Sequence, residues 1–226
     1  HTFSIVAVDA NTGEIGSAGA SCVVGAASLG GVILISDIIP GRGGINGQAT
    51  VCIPHVNLEN GIAQMEAGLS PQEIIDWLEA NDACNAGNYT NRQYGIADFD
   101  DMGNPRTAAY TGSNALSWAG HKTGPNYAMQ GNILLGPQIL DYMEAGFLNT
   151  FGSLAEKLMA AIQGANVVGA DTRCEDDGTS STSAYLWVFK PDDEPGDPFV
   201  RLNVPETLTG VEPIDSLQVL FDEWFV

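Results

Sequence analysis

The stretch HTFSIVAVDANTGEIGSAGASCVV, residues 1–24, decides the reading of the whole chain. An apolar, β-branched run starts at the second residue, Thr2-Phe3-Ser4-Ile5-Val6-Ala7-Val8. The turn Asp9-Ala10-Asn11-Thr12-Gly13-Glu14 follows, and then a second extended run of small residues. Chain ends fray unless a sheet ties them down, so strand signals reaching the second residue predict a buried opening hairpin over 2–9 and 14–24. A hydroxyl residue at the head of a buried strand has the layout in which a terminal amine acts as base for its own side chain. His1 stands before Thr2, however. A Thr2 whose nitrogen is an amide has no such base, and the chemistry then requires removal of His1.

Outward from this hairpin, Gly31-Val32-Ile33-Leu34-Ile35-Ser36 predicts a third strand and Gln48-Ala49-Thr50-Val51-Cys52-Ile53 a fourth. Pro40-Gly41-Arg42-Gly43-Gly44 between them reads as a flexible loop, because it lacks the Lys-Ser/Thr ending of a phosphate-binding loop. Asn57 or Asn60 caps a helix through Met65 that stops at Gly68. Ser70-Pro71-Gln72-Glu73 opens a second helix with a capping box and proline at its first position. Residues 93–99 and 106–112 alternate as strands around Asp100-Asp101-Met102-Gly103-Asn104, a hairpin turn rather than a calcium loop, since the closing Glu is absent. A strand over 126–134, helices over 137–146 and 151–163, and strands over 184–189 and 199–204 follow. Ile214, Leu217, Leu220, Phe221 and Trp224 then recur at helical spacing from Pro213 to Trp224. Paired helices between runs of strands predict α+β layering in one domain over 1–226, with 205–226 as a C-terminal helical extension.

The bulk properties narrow the function classes. The chain has 226 residues, 44% of them hydrophobic, and a formal charge of -20 from 8 basic against 28 acidic residues. Such a surface repels phosphate backbones and anionic lipids, so the expected partners include neither nucleic acid nor membrane. No apolar run reaches the length of a membrane span. Cys22, Cys52, Cys84 and Cys174 contain no Cys-x-x-Cys, which argues for two disulfides rather than a zinc site. Three pairings are open; Cys22–Cys52 with Cys84–Cys174 is the expected one, because the first two cysteines fall on strands assigned to the opening sheet. The chain does not begin with Met, and the reading expects an exported, oxidised protein whose leader has been removed. Asn88-Tyr89-Thr90 matches a glycosylation acceptor, a pattern common by chance.

Longer motifs carry a family resemblance. Trp118-Ala119-Gly120-His121-Lys122-Thr123-Gly124, Tyr127-Ala128-Met129-Gln130-Gly131-Asn132-Ile133-Leu134 and Gly169-Ala170-Asp171-Thr172-Arg173, with the opening Thr2-Phe3-Ser4-Ile5-Val6-Ala7, resemble domain of unknown function 1028 over about residues 2–190. The resemblance implies an N-terminal nucleophile hydrolase-like fold, a four-layer αββα sandwich of two antiparallel sheets. It implies no established reaction.

If that fold brings amide hydrolysis with it, Thr2 is the nucleophile and Asn132 donates its amide to the oxyanion. His121 shuttles a proton near neutral pH, and Asp171 and Arg173 orient one another or hold a substrate carboxylate. The expected function is therefore a secreted hydrolase of small amide-type substrates, using no cofactor and no metal. Two other readings stand beside it. One is a non-catalytic binding or self-assembling module, a homo-oligomer joined through the aromatic C-terminal helix ending Glu223-Trp224-Phe225-Val226. The other is a copper brace on His1 with His55 or His121.

Overall fold

A computed structural model describes residues 2–84 and 88–226. Thr2–Val8 (β1) and Ile15–Ser21 (β2) form the antiparallel opening hairpin, and every residue of both strands is buried. They sit at the centre of a six-stranded sheet. β1 also pairs with Tyr127–Asn132 (β8), which carries Gly120–Thr123 (β7) at its outer edge. On the other side β2 pairs with Ser183–Phe189 (β9), and β9 with Val200–Val204 (β10). A second, four-stranded antiparallel sheet runs in the order β3 (Ser36–Ile39), β4 (Gly43–Ala49), β5 (Arg92–Phe99), β6 (Pro105–Thr111).

Side-chain alternation along β1 sets the layering. Phe3, Ile5 and Ala7 pack into one core with Met143, Leu158 and Ile162 from helices α3 (Gln138–Asn149) and α4 (Leu154–Gly164). Val6 and Val8 face the opposite way, toward Ile38, Ala97 and Phe99 of the second sheet. On that sheet's far face Ile45, Tyr94 and Ile96 pack against α1 (Val56–Glu66) and α2 (Pro71–Ala80). The order is helix, sheet, sheet, helix, an α+β sandwich. Helix α5 (Pro213–Phe225) buries Ile214, Leu217 and Phe221 beside β9 and β10, while Val219 and Phe225 stay exposed. Among the described residues no helix is long and apolar enough to cross a membrane.

Several expectations need correction. The run from Gly31 to Ser36 is not a strand. Positive φ at Gly25 and Gly30 bounds a 3-10 turn at Ala26–Leu29, positive φ at Gly31 leads into a second at Val32–Ile35, and β3 starts only at Ser36. Val32, Ile33 and Ile35 pack around Tyr185 instead, a burial that an apolar run of this length permits equally well. The fourth strand begins at Gly43 rather than Gln48 and ends at Ala49. Gly43 is strand, not loop: a side chain there would strike Asp98 on β5. His55 caps α1, in place of Asn57 or Asn60; Asn57 instead binds Asp82 and the Ala83 amide at 3.1 and 2.9 Å.

The disulfides join Cys22 to Cys174 and Cys52 to Cys84, not the expected pairs. Cys22 directly follows β2 and Cys52 follows β4, and those strands belong to different sheets. The two bridges fit an oxidising compartment. Their loops span 152 and 32 residues. In the chain-entropy description these separations stabilise by about 5 and about 4 kcal/mol. Cys22→Ala with Cys174→Ala is therefore expected to lower unfolding stability more than Cys52→Ala with Cys84→Ala, by about 1 kcal/mol in denaturant titrations.

Candidate functional site

The layer between the sheets is apolar around Val6 and Val8 and polar at the Thr2 end. Thr2 and Ser4 share the face of Val6, so their hydroxyls enter this layer. Ser4 Oγ donates to Gln48 Oε1 and accepts from Gln130 Nε2, both at 2.6 Å. Gln48 Nε2 reaches the Thr2 carbonyl at 3.1 Å and Gln93 Oε1 at 3.0 Å. Asn132, directly opposite Thr2 in the β1–β8 register, donates to the same Gln93 Oε1 at 2.8 Å. Gln93 Nε2 in turn donates to the Gly131 carbonyl at 2.7 Å, which fixes the orientation of its amide. Each of these side chains is at most 3% exposed, so an unmade bond here carries a full desolvation cost. Among the described residues, Asn132 Oδ1 and Gln130 Oε1 have no hydrogen-bond partner.

Gly95 on β5 makes room for the Gln130 amide; a Cβ there would collide with it. Gly95→Ala is expected to push Gln130 off Ser4 and lower stability by about 2–4 kcal/mol, measured by chemical denaturation.

A cavity of about 380 Å³ opens beside Thr2. Most of its wall comes from outside the sheets: the segment with the 3-10 turns contributes Ala26, Leu29, Val32 and Ile35, and the chain after β4 adds Val51 and Ile53. Gln48 and Arg173 complete it. Thr2 Oγ1 donates to Ser21 Oγ at 3.1 Å. Two non-glycine residues with positive φ flank the site, Ala49 (77°) on the cavity wall and Ile133 (53°) directly after Asn132. A β-branched residue in that region is strained, and such strain gathers at functional sites. Arg92, buried and paired with Asp82 at 2.8 Å, also donates to the Thr50 carbonyl and so anchors the wall after β4.

Asp171 and Arg173 form a bidentate pair, Nε to Oδ1 at 2.9 Å and Nη2 to Oδ2 at 2.6 Å. Asp171 is fully buried and also accepts the Cys22 amide at 2.9 Å, which holds this loop against the end of β2. Thr2, Asn132, Asp171 and Arg173 thus converge on one end of the molecule.

A family model described as a family of unknown function, DUF1028, matches residues 2–214. The chain belongs to the DUF1028 family. The crystal structure of a Silicibacter pomeroyi protein carrying the same family label superimposes with a TM-score of 0.75 at 24% identity, covering 100% of this chain and 89% of that one. At that identity the likeness speaks to fold alone. No curated protein matches the sequence.

In this DUF1028 chain His121 and His55 do not line the cavity. His121 sits on edge strand β7, exposed, with Nδ1 2.8 Å from Thr111 Oγ1. Its ring reaches the Thr2 network through Thr111, to which Gln93 Nε2 donates at 3.1 Å, and its backbone lies opposite Gln130 in the β7–β8 register. His1 lies outside the described residues. His55 has both ring nitrogens engaged: Nε2 donates to the Gly47 carbonyl at 2.9 Å and Nδ1 accepts from the Leu58 amide at 3.3 Å. That arrangement leaves no lone pair for copper.

Gln48, Gln93, Gln130 and Ser4 were not singled out in the sequence reading. A polar residue in a strand is normally taken as solvent-facing, and only a second sheet over that face makes it internal.

Burial holds His55 below the ordinary histidine range, outweighing the Gly47 bond that favours the charged ring. The unfolded chain then binds a proton that the folded chain refuses. Stability is present above the unfolded pKa of about 6.5 and falls as pH drops below it. His55→Asn is expected to be less stable at pH 7.5 but to lose less on acidification to pH 5, in paired denaturation curves.

Proposed function

We propose that this chain is an exported amide hydrolase of the N-terminal nucleophile type, acting on small substrates at the cavity beside Thr2. One observation carries the reading: a hydroxyl residue heads a fully buried central strand, opens onto a cavity, and lies directly across from Asn132.

Cleavage of the bond before Thr2 frees an α-amine whose unperturbed pKa is about 8, suited to take the hydroxyl proton at neutral pH. Thr2 Oγ1 then attacks the amide carbonyl while its proton passes to that amine. Gln93 holds one N–H of the Asn132 amide, and we assign the other to the developing oxyanion. Collapse expels the substrate amine, which takes the proton from the Thr2 ammonium, and leaves an ester on Thr2. Water, deprotonated by the same amine, hydrolyses the ester and regenerates the hydroxyl. Asp171 and Arg173 act as positioning residues that fix the cavity rim to the end of β2.

Intact mass of the secreted protein, read with amide hydrolysis by the same preparation, tests the scheme. The active species is expected to begin at Thr2. Thr2→Ala should lose about 10³-fold or more in kcat, and Asn132→Ala about 10²–10³-fold. Full activity in Thr2→Ala, or in a chain that retains His1, overturns it.

A further inference from the structure

The composition of the cavity wall says what kind of molecule enters it. We infer that the site takes a neutral acyl amide whose acyl group is an unbranched aliphatic chain or a single ring, and that it discriminates against anionic ligands. The placement of the amide carbonyl at Thr2 rests on the hydrolase reading above; the burial of the acyl group does not.

Aliphatic side chains dominate the lining, with Leu29, Val32, Ile35 and Val51 among them, and its polar side chains are those of Thr2, Gln48, Thr50 and Arg173. A cavity of about 380 Å³ lies within the range of small-ligand pockets. At ~30 Å³ for each water-sized group it admits about a dozen heavy atoms, the size of a medium-chain acyl amide. Among the described residues the wall offers no carboxylate to pair with a cationic acyl group. It offers one cationic side chain among the described residues, Arg173, and Asp171 neutralises that guanidinium through a bidentate bond from a fully buried carboxylate. A ligand carboxylate would have to compete with Asp171 while entering a molecule of net charge -20. The uncharged amide faces neither cost.

Titration calorimetry with butanamide, hexanamide, octanamide and octanoate tests this, with ammonia release followed in a parallel preparation whose chain begins at Thr2. Affinity is expected to rise by up to about fourfold per methylene and at least tenfold from butanamide to octanamide. Octanoate should bind at least fivefold more weakly than octanamide. Ala26→Phe, which fills the cavity, and Leu29→Arg, which sets a charge on its half-exposed wall, should each cost at least tenfold for octanamide. Phe225→Ser, on the exposed face of α5, should change nothing. Affinity independent of chain length, octanoate binding as tightly as octanamide, or octanamide binding retained in both cavity variants overturns the inference. Length-dependent binding without ammonia release sinks the hydrolase reading and leaves this one standing; release without length dependence does the reverse.

Discussion

The hydrogen-bonded layer of amides and hydroxyls between the two sheets is the constraint on which the structure depends. Ser4, Gln48, Gln93, Gln130 and Asn132 lie out of water and bond one another across four strands. Each orphaned group in such a layer costs about 1–3 kcal/mol, so the set enforces a single alignment. Slipping β1 by one residue would turn Thr2 and Ser4 into the helix-side core and bring Phe3 and Ile5 against the amides. The apolar half of the same layer, around Val6 and Phe99, closes the sheets without dictating such detail. The polar half therefore fixes register, and register puts Thr2 opposite Asn132.

The cavity is built on a different principle. Most of its wall is irregular chain outside the sheets, and fasteners hold it. The Glu206 carboxylate accepts the Gly25 and Ala27 amides at 2.9 and 3.2 Å, and Asn203 Nδ2 donates to the Gly30 carbonyl at 2.7 Å. Arg92 and the Cys52–Cys84 bridge hold the opposite wall. Such walls can vary in sequence without disturbing the strand that carries Thr2, as expected where rigid elements position reactive groups and loops shape what binds.

Much of the scaffold was legible in the sequence because local chemistry and global fold agree there. The opening hairpin, the capping box at Ser70, the Asp100–Asn104 turn and the spacing of α5 each pair a period with its own start or stop signal. Errors fell where one local pattern serves two burials. Val32–Ile35 is apolar enough for a strand, yet the preceding glycines send it into a 3-10 turn over Tyr185. Gly43 and Gly44 look like loop residues and are strand residues, small because the neighbouring strand and the facing sheet leave no room. The cysteine pairs depended on which strands share a sheet, a long-range fact that spacing does not encode. Asn132 and Thr2 were legible as separate motifs; Gln48 and Gln93, which link them, were not.

The distribution of positive charge ties scaffold and site together. Arg42, Arg92, Arg106, Lys122 and Arg173 each lie in an ion pair with a carboxylate, and Lys190 sits over the Phe199 ring. In a chain with only 8 basic residues, the cations are thus largely spent on internal bracing. Asp98, for example, is fully buried between Arg42 and Arg106, and burial still raises its pKa against both. Buried carboxylates of this sort need their partners, since removing one partner leaves an uncompensated charge. The same economy governs Arg173. Its guanidinium is tied to Asp171, and Asp171 to the Cys22 amide, so charge at the cavity rim is balanced before any ligand arrives. Under the reading proposed above, selectivity at such a rim rests on apolar shape and hydrogen bonding more than on electrostatic attraction.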